Sequence, residues 1–205
     1  MIEHSSDVRE RPPVMSRGTA ADPDSDIVGL VANHDMSGAL RQLMQRHGSS
    51  VYRYCREALR DDALAEDVHQ QVFIAAFNDL RKFNGQSILR TWLFGIARHR
   101  VLDAAKSRRR AHTRVGNDDA SDVPDSRPSP GERLDDIRLH AALIGCLQGL
   151  RPRVITAILL RFQQGFTFED MADMCHEKPG TLQAQVQRAL PVLRTCIENR
   201  TGGTL

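Results

Sequence analysis

The chain has 205 residues, with 28 Lys and Arg against 26 Asp and Glu and a net charge of +2. Hydrophobic residues make up 40%, enough for real cores, yet no run approaches the roughly 20 apolar residues that span a bilayer. Cys55, Cys146, Cys175 and Cys196 stand far apart with no CxxC pair, so reduced thiols are expected, and membrane-spanning, collagen-like and disulfide-scaffold classes are excluded.

Residues 1–24 hold Pro12, Pro13 and Pro23 among Ser, Asp, Gly and Thr and read as a disordered tail. The first seven residues lack a basic start and an apolar core, so no secretory signal is expected. Ile27, Val28, Leu30 and Val31 open an amphipathic segment. After a break from Asp35 to Gly38, Leu40, Leu43, Met44, Val51 and Tyr54 resume helical spacing. Leu64, Val68, Val72, Phe73, Ala76, Phe77 and Leu80 then recur at three- and four-residue intervals, an apolar stripe along one helix.

Asn84-Gly85 breaks that pattern. Trp92, Leu93, Ile96, Ala97, Val101 and Leu102 form another stripe, which runs into Lys106-Ser107-Arg108-Arg109-Arg110. Residues 111–131 are poor in apolar side chains and rich in breakers, and read as a flexible linker. It divides the chain into domains at 25–110 and 132–198, followed by a tail at 199–205. The second domain reads as four helices, roughly 132–148, 152–163, 168–175 and 179–198. No segment alternates as a strand does. The expected fold class is all-α: two small helical domains joined by a flexible linker, the C-terminal one containing a helix-turn-helix.

The near-neutral total conceals a segregation of charge. Residues 81–110 carry 9 basic side chains and 1 acidic one. A field gathered in this way attracts a polyanion better than the same charge spread evenly. Seven of the ten aromatics (Tyr52, Tyr54, Phe73, Phe77, Phe83, Trp92, Phe94) fall beside it, and rings next to cations suit unstacked bases. Periodicity assigns Phe73, Phe77 and Trp92 first to a core. The polar loop Phe83-Asn84-Gly85-Gln86-Ser87 is the better place for base contacts. The preceding helix offers Glu66, Asp67, His69, Gln70 and Gln71, either a solvated surface or a protein-docking face.

Phe166 to Leu182 has helix-turn-helix proportions. Thr167 with Asp170 forms the pattern of a capping box, and Glu169 and Asp170 suit a helix N-terminus. Pro179 fits the first turn of the next helix, which turns Leu182, Val186 and Leu190 inward. Thr181, Gln183, Ala184, Gln185 and Arg188 remain on its other faces, and Gln and Arg can read base edges or hold phosphates in a major groove.

Taken together these residues resemble the extracytoplasmic-function (ECF) group of bacterial sigma factors. Asp61 through Ile74 is similar to the family's polymerase-gripping segment, which implies Glu66, Asp67, Gln70, Gln71 and Phe73 as polymerase-binding residues. Phe83 to Ser87 and Thr91 to Asp103 resemble the segments that open and read the minus-ten element. The resemblance implies Phe83, Asn84, Gly85, Gln86, Trp92, Arg98, His99, Arg100, Lys106, Arg108, Arg109 and Arg110 there. Leu150 to Ile155 and Asp170 to Leu182 resemble the domain that reads the minus-thirty-five element, implying Lys178, Thr181, Gln183, Ala184, Gln185 and Arg188.

The implied activity is that of an alternative sigma factor, which binds core RNA polymerase and directs promoter-specific initiation. Its implied partners are core RNA polymerase, promoter DNA and an anti-sigma factor, in the cytoplasm and without membrane insertion. The chain departs from the family pattern at Gln71, His99 and Gln183-Ala184-Gln185. It also has His176 at a turn position that favours a left-handed backbone, and Pro191, which is expected to kink or end the last helix.

The alternative is a helix-turn-helix transcriptional regulator that replaces no sigma factor, against which the cationic segment lies in the wrong half. An enzyme is not expected. His99, Asp103 and Lys106 share a helical spacing, but no acidic metal-binding pair, phosphate-cradling glycine loop or nucleophile elbow accompanies them. No cofactor is implied, and the spacing of His140, Cys146, Cys175, His176 and Cys196 lacks the pairing of a zinc site.

Overall fold

A computed structural model of the protein describes residues 23–83, 85, 87–115 and 134–202. Among these residues every regular element is helical. The first half contains α1 (Ser25–Ala32), α2 (Met36–Leu59), α3 (Asp62–Leu80) and α4 (Leu89–Val115). The second half contains α5 (Leu134–Leu147), α6 (Pro152–Ile158), a π-helical turn (Leu159–Gln163), α7 (Phe168–Cys175) and α8 (Pro179–Thr201). Among the described residues no helix is long and apolar enough to cross a membrane.

Local chemistry explains the boundaries. Asp35 Oδ1 accepts the Gly38 N–H at 2.8 Å and Asp61 Oδ1 accepts the Leu64 N–H at 2.9 Å, so acidic N-caps begin α2 and α3. Gly38 permits its cap, because a Cβ there would run into the Asp35 carboxylate. The capping box at α7 forms as the spacing predicts. Asp170 N–H donates to Thr167 Oγ1 at 3.1 Å and Thr167 N–H donates to Asp170 Oδ2 at 3.0 Å.

His176 closes α7 with φ 52°, the left-handed conformation that its place in the turn predicts. A Cβ is disfavoured there by about 1–2 kcal/mol. His176→Gly is therefore expected to raise the unfolding free energy by about 1 kcal/mol, read from the midpoint of a urea melt.

Three boundaries differ from expectation. Asp24 is fully buried; it accepts hydrogen bonds from Arg46 Nη1 at 3.0 Å and pairs with His47 Nε2 at 3.0 Å, so ordered chain begins before residue 25. Arg46 also pairs with Asp26 at 2.7 Å and holds that carboxyl down at about 2. Helix α4 runs to Val115, beyond the expected end at Arg110, because residues 111–115 contain neither Gly nor Pro. The rest of the expected linker and residues 1–22 lie outside the described residues. Helix α8 continues through Pro191 to Thr201. Pro191 and Gln187 are exposed, so the Gln187 carbonyl that loses its i+4 donor faces water.

Helices α2, α3 and α4 pack on one another around Leu43, Val51, Tyr54, Val72, Ala76, Leu93 and Val101. In the second half α5 and α7 pack on α8. The expectation of four reduced thiols is overturned by a disulfide between Cys146 on α5 and Cys196 on α8. Their Cα atoms lie 5.8 Å apart, within disulfide range. The pairing is hidden in the sequence because 50 residues separate the two thiols.

The halves are not independent bodies on a tether: α7 packs on α4, and α6 with the π turn packs on α2. The Phe94 ring lies 5.7 Å from Tyr54 and 5.3 Å from Phe166. The Arg90 guanidinium sits 4.2 Å over the Phe166 ring and donates to the Gln164 carbonyl. Gly95 gives α7 room, since a Cβ there would already lie 3.4 Å from Met174 Cβ. One apolar core therefore runs through both halves.

Candidate protein and nucleic-acid interfaces

On α3, Glu66, Asp67, Gln70 and Gln71 are all exposed, which follows from their place opposite the buried stripe of Ala65, Val68, Val72 and Ala76. Phe73 is a correction. It is only 4% exposed, its ring 5.1 Å from His69, and it packs in the core because it shares the inward side of α3 with Val72 and Ala76. Two neighbours outside the expected site are exposed instead. Ile74 is 61% exposed and Phe77 is 38% exposed. Glu66, Gln70, Ile74 and Phe77 follow one another at four-, four- and three-residue steps, so acid, amide, aliphatic and aromatic groups share one face. The available signal was Ile74, an apolar residue in phase with Gln70.

After α3 the chain turns at Phe83, whose ring lies 5.4 Å from Trp92 at 56°. Both rings are half-buried and support one another. Gly85 is exposed with φ 70°, a conformation open to Gly. Asn84 and Gln86 lie outside the described residues. Ile88, exposed at the end of this loop, adds apolar surface that the polar reading of the loop passed over.

Helix α4 changes character along its length. Its first half is buried on two sides, and Arg98 belongs to that half. It is 8% exposed, beside Tyr54 of α2 and Cys175 of α7, and its Nε has no hydrogen-bond partner. In this arrangement Arg98 is not presented to DNA, contrary to the sequence reading, because α7 covers α4 at Gly95 and beyond. His99 is exposed and pairs with Asp103 at 3.1 Å. Arg100 is half-buried. From Lys106 every described side chain is exposed, including Arg108, Arg109 and Arg110. A helix that is polar all round presents its charge to solvent on every face. Arg108 is partly committed, since its Nη1 donates to the Leu59 carbonyl at 2.8 Å and closes the end of α2.

In the second half α8 buries Leu182, Val186, Ala189 and Leu193. Leu190, which the spacing assigns inward, is 41% exposed instead, since it leads Ala189 by one position and rotates off the buried stripe. Lys178, Thr181, Gln183 and Arg188 are exposed, while Ala184 and Gln185 are half-buried. Gln183 and Gln185 do not point the same way, because two residues of α-helix turn the side chain by about 160° the short way round. Gln185 Nε2 donates to Glu177 Oε2 at 2.6 Å, and Arg188 Nε donates to the Ala184 carbonyl at 3.2 Å.

The two free thiols take no part in these surfaces. Burial pushes Cys55 up to about 12 and raises Cys175. The thiolate is the reactive form, so both stay protonated and inert at neutral pH. Iodoacetamide at pH 7.5 is expected to label neither in the folded protein and both after urea unfolding. Labelling of the folded chain at either position contradicts that burial.

Two family models match the chain, Sigma-70 region 2 over residues 43–111 and Sigma-70, region 4 over residues 140–190. Together they take in more than half of it. The ECF RNA polymerase sigma factor SigX of Bacillus subtilis is 28% identical over 170 residues, 80% of this chain and 86% of its own length. The ECF RNA polymerase sigma factor SigE of Mycolicibacterium smegmatis is 26% identical over 163 residues, and that match spans 80% of this chain and 63% of the relative. Among solved structures, the fold is shared with the sigma factor RpoE determined in complex with the anti-sigma factor NepR from Bartonella quintana. The TM-score is 0.66 at 22% identity, over 80% of this chain and 98% of that one. With both sigma regions present in this order on a chain whose described elements are all helical, the protein belongs to the extracytoplasmic-function group of bacterial RNA polymerase sigma factors.

Proposed function

We propose that this chain is an alternative sigma factor that binds core RNA polymerase and directs promoter-specific initiation. The observation that carries the reading is the pairing, on one chain, of an exposed cationic extension of α4 with a capped helix-turn-helix in the second half. Residues 25–110 take the role of the polymerase-binding and minus-ten domain, and residues 132–198 that of the minus-thirty-five domain. Glu66, Asp67, Gln70 and Gln71, joined by Ile74 and Phe77, form the polymerase face. Lys106, Arg109 and Arg110 attract phosphates, with the loop from Phe83 to Ser87 contacting unpaired bases. Thr181, Gln183, Gln185 and Arg188 address the upstream duplex. An anti-sigma factor is the implied controlling partner, and the cytoplasm the implied location.

Run-off transcription with core polymerase and a promoter library tests this reading. Transcripts that start only when the protein is added support it, and polymerase that starts no transcript with it refutes it. The docking face has its own check. Asp67→Arg reverses the charge of an exposed side chain, so the fold is expected to survive while retention of core polymerase in a pull-down falls at least tenfold, the scale of a lost interfacial charge contact. A variant that retains polymerase at the wild-type level rules this face out.

A further inference from the structure

Helix α8 carries three residues at i, i+4 and i+7 on one flank: Thr181, Gln185 and Arg188. Thr181 and Arg188 are exposed. Gln185, between them, is half-buried, and its amide nitrogen donates to Glu177 Oε2 at 2.6 Å. Glu177 sits in the turn, two residues before α8 begins. An ionised carboxylate only accepts hydrogen bonds, whereas an amide carries a donor end and an acceptor end. The partnership therefore decides which way the amide faces: nitrogen toward Glu177, Oε1 away from it. An unsupported glutamine would turn over freely and present either end.

We infer that Glu177 is a positioning residue for base recognition, holding Gln185 with its carbonyl oxygen and remaining N–H available to one base. This rests on the reading of α8 as the helix that meets the upstream duplex. In the major groove, adenine and cytosine offer an amino donor, whereas the O6 of guanine and the O4 of thymine are acceptors. An amide locked with its oxygen outward accepts from the amino group of adenine or cytosine and opposes the oxygen of guanine or thymine. The second amide hydrogen is suited to adenine N7, which makes adenine the preferred partner. Gln183, on the opposite flank, contributes nothing to this pair.

The test is competition binding of full-length protein assembled with core polymerase, on promoters carrying each of the four bases at every upstream-element position. Wild type is expected to prefer adenine, with cytosine second, at one position by roughly tenfold over guanine and thymine. Gln185→Ala removes the preference at that position alone. Glu177→Gln keeps shape and a hydrogen bond but accepts either orientation of Gln185, so the preference at the same position falls to within about twofold while the melting temperature holds. Glu177→Ala gives the same relaxation without the replacement amide. The swap of Glu177→Gln with Gln185→Glu places an acceptor-only group on α8 and shifts the preference to cytosine, whose amino group pairs with a carboxylate.

Glu177 variants that leave every positional preference unchanged overturn the inference, as does a guanine or thymine preference at the Gln185-dependent position. A wild-type protein with no upstream preference at any position overturns both the inference and the reading of α8 on which it rests.

Discussion

Phe94→Ala is expected to lower the unfolding free energy by about 4 kcal/mol, the largest loss at any single site considered. Phe94 is fully buried, with Tyr54 on one side and Phe166 on the other. Truncation removes a ring that packs in two directions and leaves a cavity that rigid neighbours fill only partly. The tilted ring pairs add about 0.5–1.5 kcal/mol each beyond burial. The effect reaches both halves, because Phe166 belongs to the segment that leads into α7. Trp92 is the one tryptophan of the chain and lies in the first half. Its fluorescence reports that half, whereas far-UV circular dichroism reports all helices. In a urea melt of wild type the two signals are expected to coincide. In Phe94→Ala both are expected to move to lower urea together. If only the fluorescence transition moves, the halves unfold separately and the shared core has no thermodynamic weight.

The second large effect is expected at the disulfide. Linking residues 50 apart restricts the unfolded chain by about 4 kcal/mol in the chain-entropy description. Replacing Cys146 and Cys196 together by Ala is expected to lower the stability of the fold by up to that amount. Reductant is expected to lower the melting midpoint of the wild type and to leave that of the double variant unmoved. A wild-type midpoint indifferent to reductant means that the link between α5 and α8 adds nothing to the fold. Gly145 lies beside this link, and a Cβ there would meet the Arg200 guanidinium.

Much of the fold was legible along the chain because its signals are local. The stripe from Leu64 to Leu80 and the box of Thr167 with Asp170 each depend on residues within about one turn. The helices 152–163, 168–175 and 179–198 agree with the observed elements to within three residues at each end. The strained turn at His176 was legible in the same way. The exposed polar residues of α3 and the cationic end of α4 also followed from pattern, since a solvated polar face needs no partner to define it.

Period and composition thus settle most helix positions, the α7 capping box, the helix-turn-helix and the clustering of positive charge. Three-dimensional packing decides the rest. Phe73 is buried while Ile74 and Phe77 are exposed, because α3 has neighbours on one side only. Arg98 is covered because α7 lies on α4, although the two are some seventy residues apart in the chain. Cys146 meets Cys196 across 50 residues for the same reason. Local preferences depend on neighbours within a few residues, whereas burial and partner choice depend on distant segments that only the folded chain brings together.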